Sequence, residues 1–403
     1  MDHKNIAIIG AGPAGLRAAE VSARAGAKVT IYDSKPSSGR KFLVAGKSGL
    51  NLTNDEQWES FLTKYQGSNL PVTLWNDILT SFDNQALREW ASDLGIETFV
   101  ASSGKVFPSE MKAAPLLRRW IEKLRTLNIS FHFNHQFQDF NHKGQQVEIT
   151  FSTAEETTTK QFDAVILALG GGSWKSTGST GEWVKTLQQH SIEITPLTSA
   201  NCGWEVEWNE QLLTLTEGLP LKNITVSAGS KSIGGELVIT KYGLEGGPIY
   251  KLGATIKILP SPQINIDFKP SHTTEQLIAK MESARESSPG NLVRETKQRW
   301  KLNPAAHALL HDRFISDPEV TVQKLANSIK HFTIDLIRPR PIDEVISSAG
   351  GIKWSELDEN LMLKNFPHIY CVGEMIDWEA PTGGYLLQAC FATGTWAGKA
   401  ANS

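Results

Sequence analysis

Ile6-Ala7-Ile8-Ile9-Gly10-Ala11-Gly12-Pro13-Ala14-Gly15 stands near the start of the chain, and an alanine-rich run leads from it to Lys28-Val29-Thr30-Ile31-Tyr32-Asp33. An apolar strand pattern, a G-x-G-x-x-G, a helical pattern and a second apolar strand follow one another. That order gives the glycines their meaning, because it sets the loop between a strand and a helix start. Gly10 allows the tight turn, Gly12 lets the backbone approach a diphosphate, and Gly15 lets the helix lie close on the strand. Pro13 and Ala14 fall in the first helical turn, where unpaired N–H groups and the positive dipole end attract an anion. Asp33 lies 18 positions beyond Gly15 and closes the second strand. A carboxylate there accepts ribose hydroxyls and disfavours a 2′-phosphate. Ser34 and Lys35 belong to the same expected site. Set against an ordinary glycine-rich turn, this constellation predicts dinucleotide binding.

Composition narrows the rest. At 403 residues, a norm of about 150 residues per domain predicts two or three domains. Hydrophobic residues make up 40% and charged residues 21%, the balance of a globular protein with a sizeable core. A net charge of −3 gives no electrostatic argument for nucleic acid or an anionic membrane. Cys202, Cys371 and Cys390 are too widely spaced for a redox dithiol. Cys371 reads as core, and Cys390 as core that could approach a ligand. His307 and His311 lack an accompanying acidic pattern, so a solvated helix face is expected and no metal. No run of about 20 apolar residues occurs, and the amino terminus lacks a signal-peptide pattern. A cytoplasmic enzyme with a small-molecule substrate is expected, without nucleic-acid or membrane partners.

Which dinucleotide is decided downstream. Phe162-Asp163-Ala164-Val165-Ile166-Leu167-Ala168-Leu169 reads as a buried parallel strand, and it runs into Gly170 and Gly171, which permit close backbone approach to a ligand. A second such strand, His368-Ile369-Tyr370-Cys371-Val372, runs into Gly373 and Glu374, with Asp377 following. Then Pro381-Thr382-Gly383-Gly384-Tyr385-Leu386-Leu387-Gln388 opens a final helix. A second acid and a second helix start suit a ligand with a long polyol, hence FAD rather than NAD. Glu374 or Asp377 would bind ribityl hydroxyls, and the turn at Gly383, Gly384, Tyr385 and Gln388 would meet the flavin N1/O2 edge. Arg40 and Lys41 are expected to pair with diphosphate or flavin, and Trp174 to wall the substrate pocket.

At this point the chain resembles the BaiN/RdsA-type family of NAD(P)/FAD-dependent oxidoreductases, the aminoacetone-oxidase-like flavoproteins. The matching blocks run nearly end to end: Gly39-Arg40-Lys41-Phe42-Leu43 to Asn51-Leu52-Thr53-Asn54, then Gly104-Lys105-Val106-Phe107-Pro108. Next come Leu169-Gly170-Gly171-Gly172-Ser173 and Thr177-Gly178-Ser179-Thr180-Gly181, followed by Gly235-Glu236-Leu237 with Gly243-Leu244. Gly373-Glu374 with Asp377, and Thr382-Gly383-Gly384-Tyr385 with Gln388, complete the set. The resemblance implies FAD, with NAD(P)H as a candidate transient electron donor. It implies an α/β fold: a Rossmann-like FAD-binding domain of the two-dinucleotide-binding-fold type, interrupted by a β-barrel and helical insert. The expected division is 1–195 and 339–403 for the FAD domain and 196–338 for the insert, with 196–270 barrel-like and 271–338 helical. One departure stands out. The family commonly carries G-G-R-C-N before its L-T-N, whereas here Lys47-Ser48-Gly49-Leu50 precedes Asn51. Either Lys47 supplies a cation in place of the arginine, or the chain belongs to a sub-branch with a different substrate.

Local patterns fill in the outline. Residues 55–135 carry helical patterns, and 130–151 alternate as a hairpin would. Runs such as Leu237-Val238-Ile239-Thr240 and Ala254-Thr255-Ile256-Lys257-Ile258 read as short strands of a small barrel. No second G-x-G-x-x-G in strand–helix context exists. A nicotinamide donor would therefore dock on the existing pocket or through the insert, or molecular oxygen would be the oxidant. An FAD-dependent oxidoreductase acting on a small organic substrate is expected. The alternative is a non-catalytic protein that uses FAD structurally or as a sensor. No catalytic side chain beyond the flavin can be named from the sequence.

Overall fold

The structure, a computed structural model, describes residues 3–46, 49–282 and 289–403. Lys47, the suggested substitute cation, lies outside the described residues. The chain divides into two compact units, residues 1–199 with 342–403, and residues 200–341.

The first unit is built on a five-stranded parallel sheet in the order Ile369–Cys371, Ala164–Leu167, Asn5–Ile9, Lys28–Tyr32, Ser130–His132. Its central strands are almost wholly buried, which is why they read as continuous apolar runs rather than alternating ones. The chain runs from Asn5–Ile9 outward through Lys28–Tyr32 to Ser130–His132, then returns to place Ala164–Leu167 on the other side of Asn5–Ile9. Such a switch point opens a crevice at the carboxyl ends of the strands.

The first helix, Pro13–Arg24, packs along the closing helix, Tyr385–Ala400. The two backbones nearly touch. A β-carbon on Gly394 would sit 2.4 Å from the carbonyl oxygen of Ala14, and one on Gly398 would sit 2.9 Å from that of Ala18. Glu20, fully buried, ties the first helix to two more. Its Oε2 accepts from the indole N–H groups of Trp90 and Trp120, both at 3.0 Å. Arg24 lies 2.8 Å from Oε1, and Arg17 lies 3.3 Å from Oε2.

The expected hairpin over 130–151 forms as Gln136–Lys143 paired with Gln146–Ser152, with Thr157–Phe162 added as a third antiparallel strand; only its first residues are corrected, because Ser130–His132 is the edge strand of the parallel sheet. Alternation marks a half-buried strand but does not say which partner it takes.

The second unit has its own core and a six-stranded antiparallel sheet, ordered Trp204–Glu205, Gly243–Glu245, Lys231–Thr240, Pro220–Ala228, Gln263–Asp267, Phe332–Asp335. Past its last strand the chain bonds back to the first. The Glu205 N–H donates to Arg338 and the Ile337 N–H to Glu205, both at 2.9 Å, so the sheet curls toward closure. Helices Thr274–Lys280, Pro289–Arg299, Pro304–Phe314 and Val322–Lys330 lie between Gln263–Asp267 and Phe332–Asp335. Two expectations fail in this unit. Residues 254–257, read as strand, are helical within Gly247–Lys257, because Pro248 starts a helix whose Ile249, Leu252 and Ile256 share one buried face. His307 is half-buried rather than solvated, and burial lowers its pKa. Among the described residues no helix is long and apolar enough to cross a membrane.

Candidate functional site

A cleft of about 720 Å³ opens in the first unit around the carboxyl ends of the parallel strands. The glycine loop forms its floor, and its three glycines do different things. At Gly10 (φ 112°) a β-carbon would lie 2.2 Å from the Ala168 carbonyl oxygen, and at Gly15 it would lie 2.0 Å from that of Gly10. Those two positions are glycine because protein backbone fills the space. At Gly12 a β-carbon would meet nothing within 4 Å among the described residues; it would project into the open. No side chain caps the helix that begins at Pro13, so its first-turn N–H groups are left for an anion.

Asp33 is fixed by its own neighbourhood. Oδ2 accepts the Ala11 N–H at 2.7 Å and Oδ1 accepts the Lys35 N–H at 2.8 Å. Burial pushes its pKa up, against the pull of these bonds and of Lys35 and Arg40. Each oxygen keeps a further lone pair for a hydroxyl donor. Ser34, Lys35, Tyr32, His135 and residues 136–138 continue the wall from there.

At the other end Lys41 donates to Ser173 Oγ and to Glu374 Oε2, both at 2.8 Å. Arg40 also lines the cleft, and its Nε is buried with no partner among the described residues. Ser179 Oγ, likewise on the wall, shares that condition. A buried donor without an acceptor is costly unless a ligand completes it. Gly170 and Gly373 line the cleft at positive φ, 71° and 75°.

The structure thus brings Gly10, Gly12, Pro13, Ala14, Asp33, Ser34, Lys35, Arg40, Lys41, Gly170, Gly373 and Glu374 to one surface. Eight expected residues are not on it. Gly15 packs under Gly10, and a β-carbon on Gly171 would strike Ser348 Oγ at 1.9 Å. Asn51 has a buried Oδ1 without a partner among the described residues, away from the cleft lining. Asp377 is 3% exposed, takes a 2.6 Å bond from Thr195 Oγ1, and faces protein. Of the two acids left open by the sequence, Glu374 is the one in the cleft. Gln388 is buried between Thr53 Oγ1 (2.7 Å) and the Phe82 carbonyl (2.5 Å). The Tyr385 hydroxyl donates to Glu56. Gly383 and Gly384 both hold positive φ, and a β-carbon on Gly384 would lie 2.5 Å from the Thr53 backbone. Trp174, expected at a substrate pocket, does not line the cleft; it sits at φ 63° with its Nε1 buried and unpartnered among the described residues.

Sequence reasoning missed His135, residues 136–138 and Trp183, whose Nε1 donates to the Gly170 carbonyl at 2.9 Å. They contribute by position on a strand or loop, and no spacing marks them. Cys390 reaches the lining, where burial holds its thiol protonated.

The donor set fits a dinucleotide with a polyol. It offers an open floor over uncapped N–H groups, an unpartnered arginine nitrogen, and a carboxylate toward each end.

Comparison with known proteins agrees with this architecture. The 3-dehydro-bile acid delta(4,6)-reductase of Clostridium scindens is 26% identical over 419 aligned positions, 98% of each chain. The ribosomal RNA dihydrouridine synthase of Haemophilus influenzae is 22% identical, over 94% of each. Among solved structures, the 3-ketosteroid-delta4-(5alpha)-dehydrogenase of Rhodococcus jostii RHA1 matches in fold with a TM-score of 0.55 at 13% identity, covering all of this chain and 97% of that one. The family described as HI0933-like protein Rossmann domain matches residues 4–400, and the chain belongs to it.

Proposed function

We propose that the protein is an FAD-dependent oxidoreductase that reduces a carbon–carbon double bond conjugated to a carbonyl in a small organic substrate, with NAD(P)H as the electron source. The observation that carries the cofactor assignment is the pairing, within one cleft, of the clear floor at Gly12 with the Lys41–Glu374 pair. The N–H groups after Gly12, together with Arg40, would hold the diphosphate. Asp33 would take the adenosine ribose and Glu374 the ribityl hydroxyls. FAD bound there would supply hydride chemistry. The chain's part is binding and orientation: Lys41 holds the Glu374 carboxylate in place, and Cys390, with its buried neutral thiol, closes that end without adding charge.

The substrate class draws its support from the relatives. One relative is named as a reductase of a 3-dehydro-bile acid, a small molecule, and the other as a ribosomal RNA dihydrouridine synthase; both names describe reduction of a double bond, and the first carries the small-molecule part of the proposal. The absence of a second strand–G-x-G-x-x-G–helix unit favours a donor that visits the flavin site transiently. Purified protein should be yellow and should bleach when mixed anaerobically with NADH or NADPH. Simple cyclic enones should then restore the colour faster than saturated ketones do. Failure of both nucleotides to bleach it would sink the enzymatic reading in favour of a structural or sensing role for FAD.

A further inference from the structure

The second unit gathers cations where strand Gln263–Asp267 gives way to helix Thr274–Lys280. The loop Lys269-Pro270-Ser271-His272 is held on the ammonium group of Lys330, which donates to the carbonyls of Lys269 at 3.0 Å and of His272 at 2.7 Å. Asp267 is committed on both sides: one oxygen lies 2.6 Å from Lys330 Nζ and the other accepts the Lys269 N–H at 2.8 Å. On this fixed loop Lys280 Nζ stands 2.7 Å from His272 Nε2, and Lys269 Nζ donates to the Lys301 carbonyl at 2.8 Å. An ammonium group can only donate, so His272 Nε2 is the acceptor and the imidazole is neutral. Its proton is then on Nδ1, which faces Ser271 Oγ at 3.0 Å and leaves the serine hydroxyl hydrogen free.

Part of this arrangement has a structural reason. The Lys301 carbonyl lies just past the helix Pro289–Arg299, where a cation complements the negative end of the dipole. Lys330 shapes the loop. Neither reason reaches Lys280, which is exposed and has a histidine for a neighbour instead of a carboxylate. Among the described residues, Lys269, Lys280 and Lys301 form no ion pair. The groups crowd one another. Burial, then Lys280 and Lys301, lower the Lys269 pKa; desolvation, then Lys280, Lys269 and Lys330, lower that of His272. Such a surface offers several charged donors and lacks a charged acceptor.

We propose that Lys269, Ser271, His272 and Lys280 form a binding site for a phosphate-bearing ligand. Its oxygens would accept from both ammonium groups and from the serine hydroxyl, in charge-assisted bonds. Its charge would also favour a second proton on His272, making that ring a donor at both nitrogens. A ligand with several phosphate oxygens, such as a nucleoside diphosphate or a polynucleotide backbone, suits these cations better than a single carboxylate does. The inference does not depend on the cleft of the first unit binding FAD.

The test titrates inorganic tripolyphosphate into the full chain while imidazole proton signals are followed by NMR, the His272 signal being the one missing in His272→Gln. That signal is local, so tripolyphosphate entering the cleft of the first unit does not imitate it. The pKa of His272 should rise and its signal should move saturably. The Kd read from it should weaken about tenfold or more in Lys280→Gln and in Lys269→Gln. It should stay near the wild-type value in Lys280→Arg and in Lys324→Gln, whose lysine lies near Asp317 and Glu319 instead. An unmoved His272 signal in the folded wild type would overturn the proposal, and so would an equal loss in Lys324→Gln, which would reduce the effect to net charge. Competition then identifies the source. Displacement by ADP or NADPH assigns the site to a free nucleotide, and displacement by a short single-stranded RNA alone assigns it to a polynucleotide. Displacement by none of them would overturn the assignment to phosphate esters.

Discussion

Lys41 Nζ lies 2.8 Å from Glu374 Oε2, joining residues 333 positions apart across the mouth of the parallel sheet. Both side chains are largely buried, at 24% and 13% exposure. Neither can lose its partner without leaving a charge poorly solvated. Lys41→Met should therefore weaken FAD binding by about 1–3 kcal/mol, roughly 5- to 150-fold in Kd, and Lys41→Arg should weaken it less. Fluorescence titration of the stripped protein with FAD measures this. Equal Kd values in all three proteins would mean that Glu374 needs no help from Lys41.

The fingerprint glycines should separate by phenotype. Gly12→Val adds atoms on the open side of the loop, so the protein should keep its Tm when stripped of cofactor and yet fail to hold FAD. Gly15→Ala places a methyl group against the Gly10 carbonyl, at 2.0 Å before relaxation. It should cost about 1–3 kcal/mol of stability, as overpacking does. Thermal unfolding and flavin content, measured together, distinguish the two. A yellow Gly12→Val protein would remove this loop from the site.

These differences explain what could be read from the chain. Gly10, Gly12, Gly15 and Asp33 were legible because each answers a local demand of the backbone, fixed by its spacing along the chain. Gly170, Gly373 and Glu374 follow from strand ends that meet at one edge, and Arg40 and Lys41 from the helix start after Gly39. The failures are non-local. Glu374 lies within a 3₁₀ turn, Gly373–Met375, and Asp377 lies two residues past its end, where Thr195 Oγ1 bonds it, a partner no local spacing reveals. Tyr385 and Gln388 look like ligand contacts at a helix start, but their partners Glu56, Thr53 and Phe82 lie some 300 residues away. Ala254 to Ile258 has a strand's composition and a helix's environment, and tertiary packing outweighs β-branched propensity there.

Glu20 offers a test of the scaffold apart from the site. Glu20→Ala would strand two buried indole N–H groups and leave Arg17 without its carboxylate, with Arg24 more exposed. Removing one member of such a network costs about 3–5 kcal/mol. The Tm should fall markedly, and Glu20→Gln should fall less because it still accepts from the indoles. A loss within 1 kcal/mol (about the size of a surface change) would show that the indoles find other acceptors.

Asp163 predicts a pH dependence. The Asn5 N–H bonds it at 2.8 Å and Gln146 at 2.9 Å, and these bonds hold its pKa below the ordinary aspartate value. Its contribution to stability is complete above the unfolded value, about 3.9, and is lost as pH falls through the lower folded value. Asp163→Asn should therefore lower the Tm at pH 7 and match wild type once the pH drops below that range. A Tm difference that stays constant from pH 7 to pH 3 would contradict the assignment.

Gly384 decides whether the closing helix begins with glycine for the cofactor or for the protein. From the sequence, a side chain there is expected to hold the backbone away from the flavin. The geometry supplies another reason. Gly384 sits at φ 96°, and a β-carbon would fall 2.5 Å from the backbone of Thr53. A left-handed conformation costs a non-glycine residue about 1–2 kcal/mol, and the contact with Thr53 adds to it. The same displacement would drag Tyr385 from Glu56. Gly384→Ala should therefore lower the Tm of cofactor-stripped protein by several degrees, before any effect on the flavin is considered. The decisive pair of measurements is that Tm and the reduction potential of whatever FAD-loaded protein survives. A lowered Tm makes Thr53 the reason for the glycine. An unchanged Tm with a shifted potential would return the reason to the cofactor.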